Sequence, residues 1–104
     1  MPDLLYLKMP LAAESVKDFE NLCQSALGFA NSKKQKGWIS AEWMISHNEN
    51  EGYLFHMWEC WESKEDFENY MRSPERVSGS YFEQSIRKCA SGNSVLFWGK
   101  RHIV

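Results

Sequence analysis

The chain has 104 residues, 12 Lys and Arg against 14 Asp and Glu, and a formal net charge of −2. That length predicts one domain, residues 1–104, with one small core. The near-neutral charge excludes the basic stripe of a nucleic-acid binder, and no apolar run approaches the ~20 residues of a membrane span. Aromatic residues make up 14% of the chain and five of them are tryptophans. Each large aromatic buries roughly 150–250 Å². One small sheet and two helices cannot cover them all, so some should face a partner subunit or a pocket.

Leu4 to Met9 reads as a strand, with Leu5, Leu7 and Met9 on one side and Tyr6 and Lys8 on the other. Pro10 is expected to end it. A helix should follow from about Ala13 to Phe29 or Ala30. Val16, Phe19, Leu22, Cys23, Ala26, Leu27 and Ala30 form its apolar stripe. Asn31 to Gly37 is polar and reads as a loop. Its basic cluster, Lys33, Lys34 and Lys36, reads as a solvated surface and not as an anion site.

Trp38 to His47 alternates as a second strand. Ile39, Ala41, Trp43 and Ile45 are predicted to face one way, and Trp38, Ser40, Glu42 and Met44 the other. Asn48 to Gly52 has turn composition, so a hairpin leads into the third strand, Tyr53 to Trp61. One face of that strand carries Tyr53, Phe55, Met57, Glu59 and Trp61. The other carries Leu54, His56, Trp58 and Cys60. Helices at about Lys64–Met71 and Glu75–Cys89 follow, the second weakened by Gly79. Ser94 to Ile103 is the last predicted strand.

The order βαββαβ implies an α+β, ferredoxin-like antiparallel sheet with its helices on one face. Leu54, His56, Trp58 and Cys60 would then lie bare on a monomer. A contiguous apolar patch of that kind marks an interface, here a homodimer through the helix-free sheet face.

The segment from Met57 to Pro74 carries the most information. The apolar strand runs into Trp61-Glu62-Ser63. Ser63 with Asp66 makes a capping box, with the serine oxygen accepting from the first turn and the acid reaching back. The helix carries Phe67, Tyr70 and Met71 on one face and stops at Ser73-Pro74. Strand, Trp-Glu-Ser, short amphipathic helix, Ser-Pro and second helix together resemble the antibiotic biosynthesis monooxygenase family. The resemblance implies a dimeric α+β barrel. It also implies oxidation of a small phenol or quinol by molecular oxygen without metal or flavin.

Glu59 shares the parity of Trp61, so both should project toward the helices. A buried carboxylate is costly unless paired or protonated, and a raised pKa would suit a base for an acidic phenol. The plain alternative is an ion pair with Arg101, Lys100 or Arg87. By the resemblance Trp61 is a cavity wall; read alone it is equally a core tryptophan. Phe55, Met57, Tyr70, Tyr81 and Phe82 are candidates to contact the substrate, each with ordinary packing as its alternative. His56, His47 and His102 share no zinc-ligand spacing, and His56 reads as an interface residue.

No phosphate loop, nucleophile elbow or dinucleotide fingerprint is present, so no cofactor and no metal are expected. A haem-degrading branch of the superfamily carries a histidine where this chain has Ser80, which argues against haem. A non-catalytic dimeric binding or assembly module is the alternative from a different class. Cys23, Cys60 and Cys89 are odd in number and lack ligand spacing, and Met1-Pro2-Asp3 lacks signal-peptide character. Free thiols and a cytoplasmic location are expected.

Overall fold

The computed structural model describes residues 1–25, 28–77 and 81–104, the side chains of Val77, Tyr81 and Phe82 excepted. Four antiparallel strands form its sheet: β1 (Asp3–Leu11), β2 (Trp38–Asn48), β3 (Gly52–Trp61) and β4 (Val95–Lys100). Their spatial order is β2-β3-β1-β4, the ferredoxin-like arrangement. After β1 come a 3₁₀ turn (Ala13–Ser15), α1 (Val16–Gln24) and α2 (Ala30–Lys33). After β3 come α3 (Lys64–Met71), α4 (Pro74–Val77) and α5 (Tyr81–Cys89).

Residues opposite each other in a strand pair share a face of the sheet. Leu5 opposes Glu59 and Trp98, Leu7 opposes Met57 and Leu96, and Met9 opposes Phe55. Leu5, Met9, Phe55 and Met57 meet Phe19 and Cys23 of α1 and Cys89 of α5 in one buried cluster, with Leu7 and Trp98 packed against it. Phe19 stands edge-on to Phe55, centroids 4.9 Å apart. Burying a side chain such as Phe19 fully contributes roughly 1.5–3 kcal/mol.

Several boundaries differ from the sequence expectation. β1 continues through Pro10 to Leu11. Its pairing with β4 ends at Lys8; beyond that point it meets on that side only the short 89–91 segment, where the Pro10 carbonyl accepts from Ser91 N and the N–H that proline lacks is not needed. Helix α1 stops at Gln24 because the Ser25 hydroxyl donates to the Leu22 carbonyl at 2.6 Å, in competition with the helix ladder. Ala30–Lys33, expected in part as loop, is a helical turn. β4 ends at Lys100, not Ile103, because its partner β1 begins at Asp3, opposite Lys100. The hairpin turn forms as expected: Asn48 Oδ1 accepts from Asn50 N and Glu51 N, and Gly52 supplies a positive φ of 70°. The expected stripe positions Ala26 and Leu27, and Gly79 and Ser80, lie outside the described residues.

The capping box is only half as read. Ser63 Oγ accepts from Asp66 N at 3.2 Å, while the amide of Lys64 donates to Asp3 of β1 at 2.7 Å. Asp3 also accepts from Lys100 Nζ at 2.6 Å; that bond first, and the Lys64 amide second, hold its carboxyl below the usual aspartate range against a smaller rise from burial. One carboxylate thus ties β1, β4 and the start of α3 together.

The helix-free face is not bare along its middle. Leu54, His56 and Cys60 are buried within the single chain. Tyr6 lies close to Trp58 and Phe97, with centroids 5.2 and 6.0 Å away, and roofs the central strands. Both ring nitrogens of His56 are engaged locally: Nδ1 lies 2.6 Å from the Tyr6 hydroxyl and Nε2 lies 2.8 Å from the Ser46 hydroxyl. The exposed apolar side chains of this face stand on the flanking strands: Met44, Val95 and Phe97. No helix among the described residues is long and apolar enough to cross a membrane.

Candidate functional site

A cavity of about 320 Å³ opens between the sheet and the helices. The sheet supplies Leu5, Leu7, Met9, Phe55 and Met57, and the helices supply Phe67, Tyr70 and Ile86. Leu96 and Met71, both solvent-exposed, form part of its rim. The volume falls within the range of small-molecule pockets, which are mostly apolar with a few placed polar groups. Here those groups are Glu59, Tyr70 and the Arg76–Glu83 ion pair, all of which line the cavity.

Glu59 is 3% exposed. Strand alternation in Phe55-x-Met57-x-Glu59-x-Trp61 sends it inward from the middle of the sheet. No lysine or arginine stands within ion-pairing distance of it among the described residues, so the expected pairing with Arg101, Lys100 or Arg87 does not form. Its partners are two indoles. Trp61 Nε1 donates to Oε1 at 2.9 Å, and Trp38 Nε1 donates to Oε2 at 3.1 Å. Burial raises the Glu59 pKa above the ordinary glutamate value, and the two indole N–H groups partly oppose that rise.

Trp38 was expected on the opposite face. The register explains the difference: Trp38 pairs with Trp61 but Ser40 pairs with Cys60, so Ile39 is an extra residue in β2. This β-bulge turns Trp38 inward while leaving Ala41, Trp43 and Ile45 on the inner face. Period-two counting cannot reveal it, since an inserted residue leaves no local mark in the apolar pattern.

Trp61 does not line the cavity. It is 0% exposed and stands behind Glu59. Tyr70 stacks on it at 6.0 Å and Phe67 meets it edge-on at 5.7 Å. Phe67 in turn meets Trp98 at 5.1 Å, and Lys64 Nζ sits 5.7 Å from that ring. Burial is the main cause that raises the Tyr70 pKa. The Arg76 guanidinium opposes it, and the carboxylates of Glu59, Glu83 and Glu75 add to it. The structure therefore brings Glu59, Phe55, Met57 and Tyr70 to one cavity, with Trp61 as their backing. The side chains of Tyr81 and Phe82 lie outside the described residues. Arg76 and Glu83 were missed from the sequence, where nothing distinguishes them from surface charges on a helical stretch.

All three cysteines are free and buried. Burial, with a smaller contribution from Cys89, pushes the Cys23 thiol up to about 12.

The fold is that of proteins bearing the antibiotic biosynthesis monooxygenase name, as the sequence resemblance implied. Among solved structures, the chain is similar to SnoaB of Streptomyces nogalater, described as a cofactor-independent oxygenase. The identity is 12% and the TM-score 0.68, over 99% of this chain and 98% of that one. A Bacillus cereus protein provisionally named an antibiotic biosynthesis monooxygenase matches at 14% identity and TM-score 0.67, over 100% and 99% of the two chains. A conserved protein of Methanosarcina mazei matches at 17% identity and TM-score 0.69, over 98% and 94%. At these identities the likeness establishes the shared fold. No family model matches the chain. None of the curated proteins matches it either.

Proposed function

We propose that the protein is a cofactor-independent monooxygenase of the antibiotic biosynthesis monooxygenase kind, acting on a small phenol or quinol. The observation that carries this reading is Glu59: a buried carboxylate with raised pKa, without a cationic partner among the described residues, at the wall of an apolar cavity. Each of its oxygens accepts one indole N–H, and a carboxylate oxygen has a second lone pair. Glu59 can therefore still accept a proton from a bound ring hydroxyl. A base is most effective when its pKa lies near the working pH, and burial moves Glu59 in that direction.

In this scheme Glu59 takes the phenolic proton. The phenolate gives two electrons to O₂ as a C–O bond forms at a ring carbon, and Glu59 returns its proton to the distal oxygen. Loss of the ring C–H proton then breaks the O–O bond. One oxygen stays as a carbonyl and the other leaves as water. Phe55, Met57 and Phe67 hold the ring and exclude bulk water. No metal or flavin takes part.

We further propose a homodimer through the helix-free face, with Phe97, Val95 and Met44 joining Trp58 at the contact. Exposed apolar side chains gathered on one face support it.

Oxygen uptake with a panel of phenols and hydroquinones tests the activity, using chelator-treated, flavin-free protein. Glu59→Gln should lower kcat by ~10²–10⁴-fold with little change in KM. Equal turnover in Glu59→Gln and wild type would assign the proton transfer elsewhere, with Tyr70 next in line. Uptake absent across the panel, with aromatic ligands still bound, would favour a non-catalytic binding module.

A further inference from the structure

We infer that Trp38 is a positioning residue for Glu59, delivered by the β2 bulge to complete a two-indole clamp on that carboxylate. The inference deepens the proposed function, since it concerns the same base, but its physical content stands on geometry alone. An indole Nε1 is a donor and never an acceptor. Two indoles, one on each oxygen, therefore suit the ionised carboxylate best: the acid's hydroxyl oxygen is a weaker acceptor, and an amide has no acceptor at its nitrogen. Trp61 alone would fix one oxygen and leave the carboxylate free to pivot about it. Trp38 fixes the other at 3.1 Å, so the plane of the carboxylate and its remaining lone pairs are held in one direction.

The clamp also resolves an energetic conflict. Glu59 is nearly sealed from water and has, among the described residues, no cation paired with it to offset its charge. Without compensation such a group stays protonated and useless as a base. With too strong a partner, such as an arginine, its proton affinity would fall and it would be a weak base. Two neutral donors are intermediate: they favour ionisation without abolishing basicity. The arrangement depends on the bulge, because a regular β2 would turn Trp38 to the opposite face and leave Oε2 without its donor.

The test compares wild type, Trp38→Phe and Glu59→Gln by NMR, with ¹³C-labelled glutamate carboxyls and ¹⁵N-labelled indoles. In wild type, the Glu59 carboxyl and the indole N–H resonances of Trp38 and Trp61 should titrate with one common midpoint. In Glu59→Gln both indole titrations should vanish. Trp38→Phe keeps an aromatic ring but removes the donor. Loss of a hydrogen bond to a charged group of the usual strength corresponds to an increase of about tenfold or more in the proton affinity of Glu59, so its midpoint should rise in Trp38→Phe.

Two results would overturn the inference: a Trp38 indole resonance in wild type that does not follow Glu59, or a Glu59 midpoint unmoved in folded Trp38→Phe. If Trp38→Phe does not fold, the wild-type and Glu59→Gln titrations still decide. None of these readouts needs turnover. A protein that titrates as described but consumes no oxygen loses the proposed function and keeps the clamp. A protein that turns over with an indifferent Trp38 does the reverse.

Discussion

Gly37 packs directly against the carboxylate of Asp66, so closely that a Cβ on the glycine would collide with Asp66 Oδ2. Gly37 has φ of 88°, a conformation L-residues avoid, and its carbonyl accepts from Glu62 N at 2.7 Å. It immediately precedes Trp38, while Asp66 sits in the first turn of α3. The contact therefore sets the distance between the bulged start of β2 and the helix that carries Phe67 and Tyr70.

Gly37→Ala should destabilise the fold by about 1–3 kcal/mol, from a non-glycine residue in a left-handed conformation and from displacement of Asp66. Urea unfolding measures it. An unchanged midpoint would mean that the Asp66 side chain swings away freely and that the contact constrains nothing.

Trp61→Ala should cost more, about 3–5 kcal/mol, as expected for a large aromatic removed from a sealed site. The ring supports Tyr70 and Phe67 and donates to Glu59, so the cavity wall should lose order with it. Chemical denaturation gives the stability, and the near-UV circular dichroism of the aromatic cluster gives the order. Weakened binding of an aromatic ligand at full stability would instead put Trp61 in direct contact with the ligand.

Glu59 gives stability a predictable pH dependence. Its folded pKa lies above the ordinary value of 4.5 because burial disfavours the charge. Between those two values the folded chain binds more protons than the unfolded one, so the contribution of Glu59 is full below about 4.5 and is lost as pH rises through the folded value. The slope cannot exceed about 1.4 kcal/mol per pH unit for one group. The unfolding free energy of wild type relative to Glu59→Gln should therefore fall across that window. A difference independent of pH there would show that the indoles fully cancel the effect of burial.

Phe97→Glu tests the proposed dimer more cleanly than a change at Trp58. Phe97 is 57% exposed, whereas Trp58 stacks within its own chain against Tyr6 and His56. An unpaired charge at an apolar contact is strongly unfavourable. Sedimentation should give a dimer for wild type and a folded monomer for Phe97→Glu. A monodisperse wild-type monomer at micromolar concentration would remove the proposal.

The residue pattern carried the element order, the hairpin and the inward parity of Glu59. Strand parity is a local property, and β3 runs regularly from Gly52 to Trp61. Where side-chain chemistry interrupts regular backbone, the pattern misleads. Ser25 turns its hydroxyl onto the ladder and ends α1, although the apolar stripe continues past it. Ile39 inserts one residue and reverses Trp38, although β2 still alternates on either side. The covering of His56 by Tyr6 depends on side-chain direction across strands far apart in sequence, which composition does not encode. Arg76 and Glu83 look like any exposed pair until the backbone folds them over the sheet.

The cavity opens between the sheet and the helices, and its rim lies on the helix side of the sheet, away from Phe97 and Met44. Association through the opposite face would therefore add copies without adding or sharing wall residues. Occupancy should scale one ligand to one chain, with identical independent sites. A mixed assembly of one intact copy and one Glu59→Gln copy should keep half the capacity of the intact pair, neither rescued nor poisoned by its neighbour.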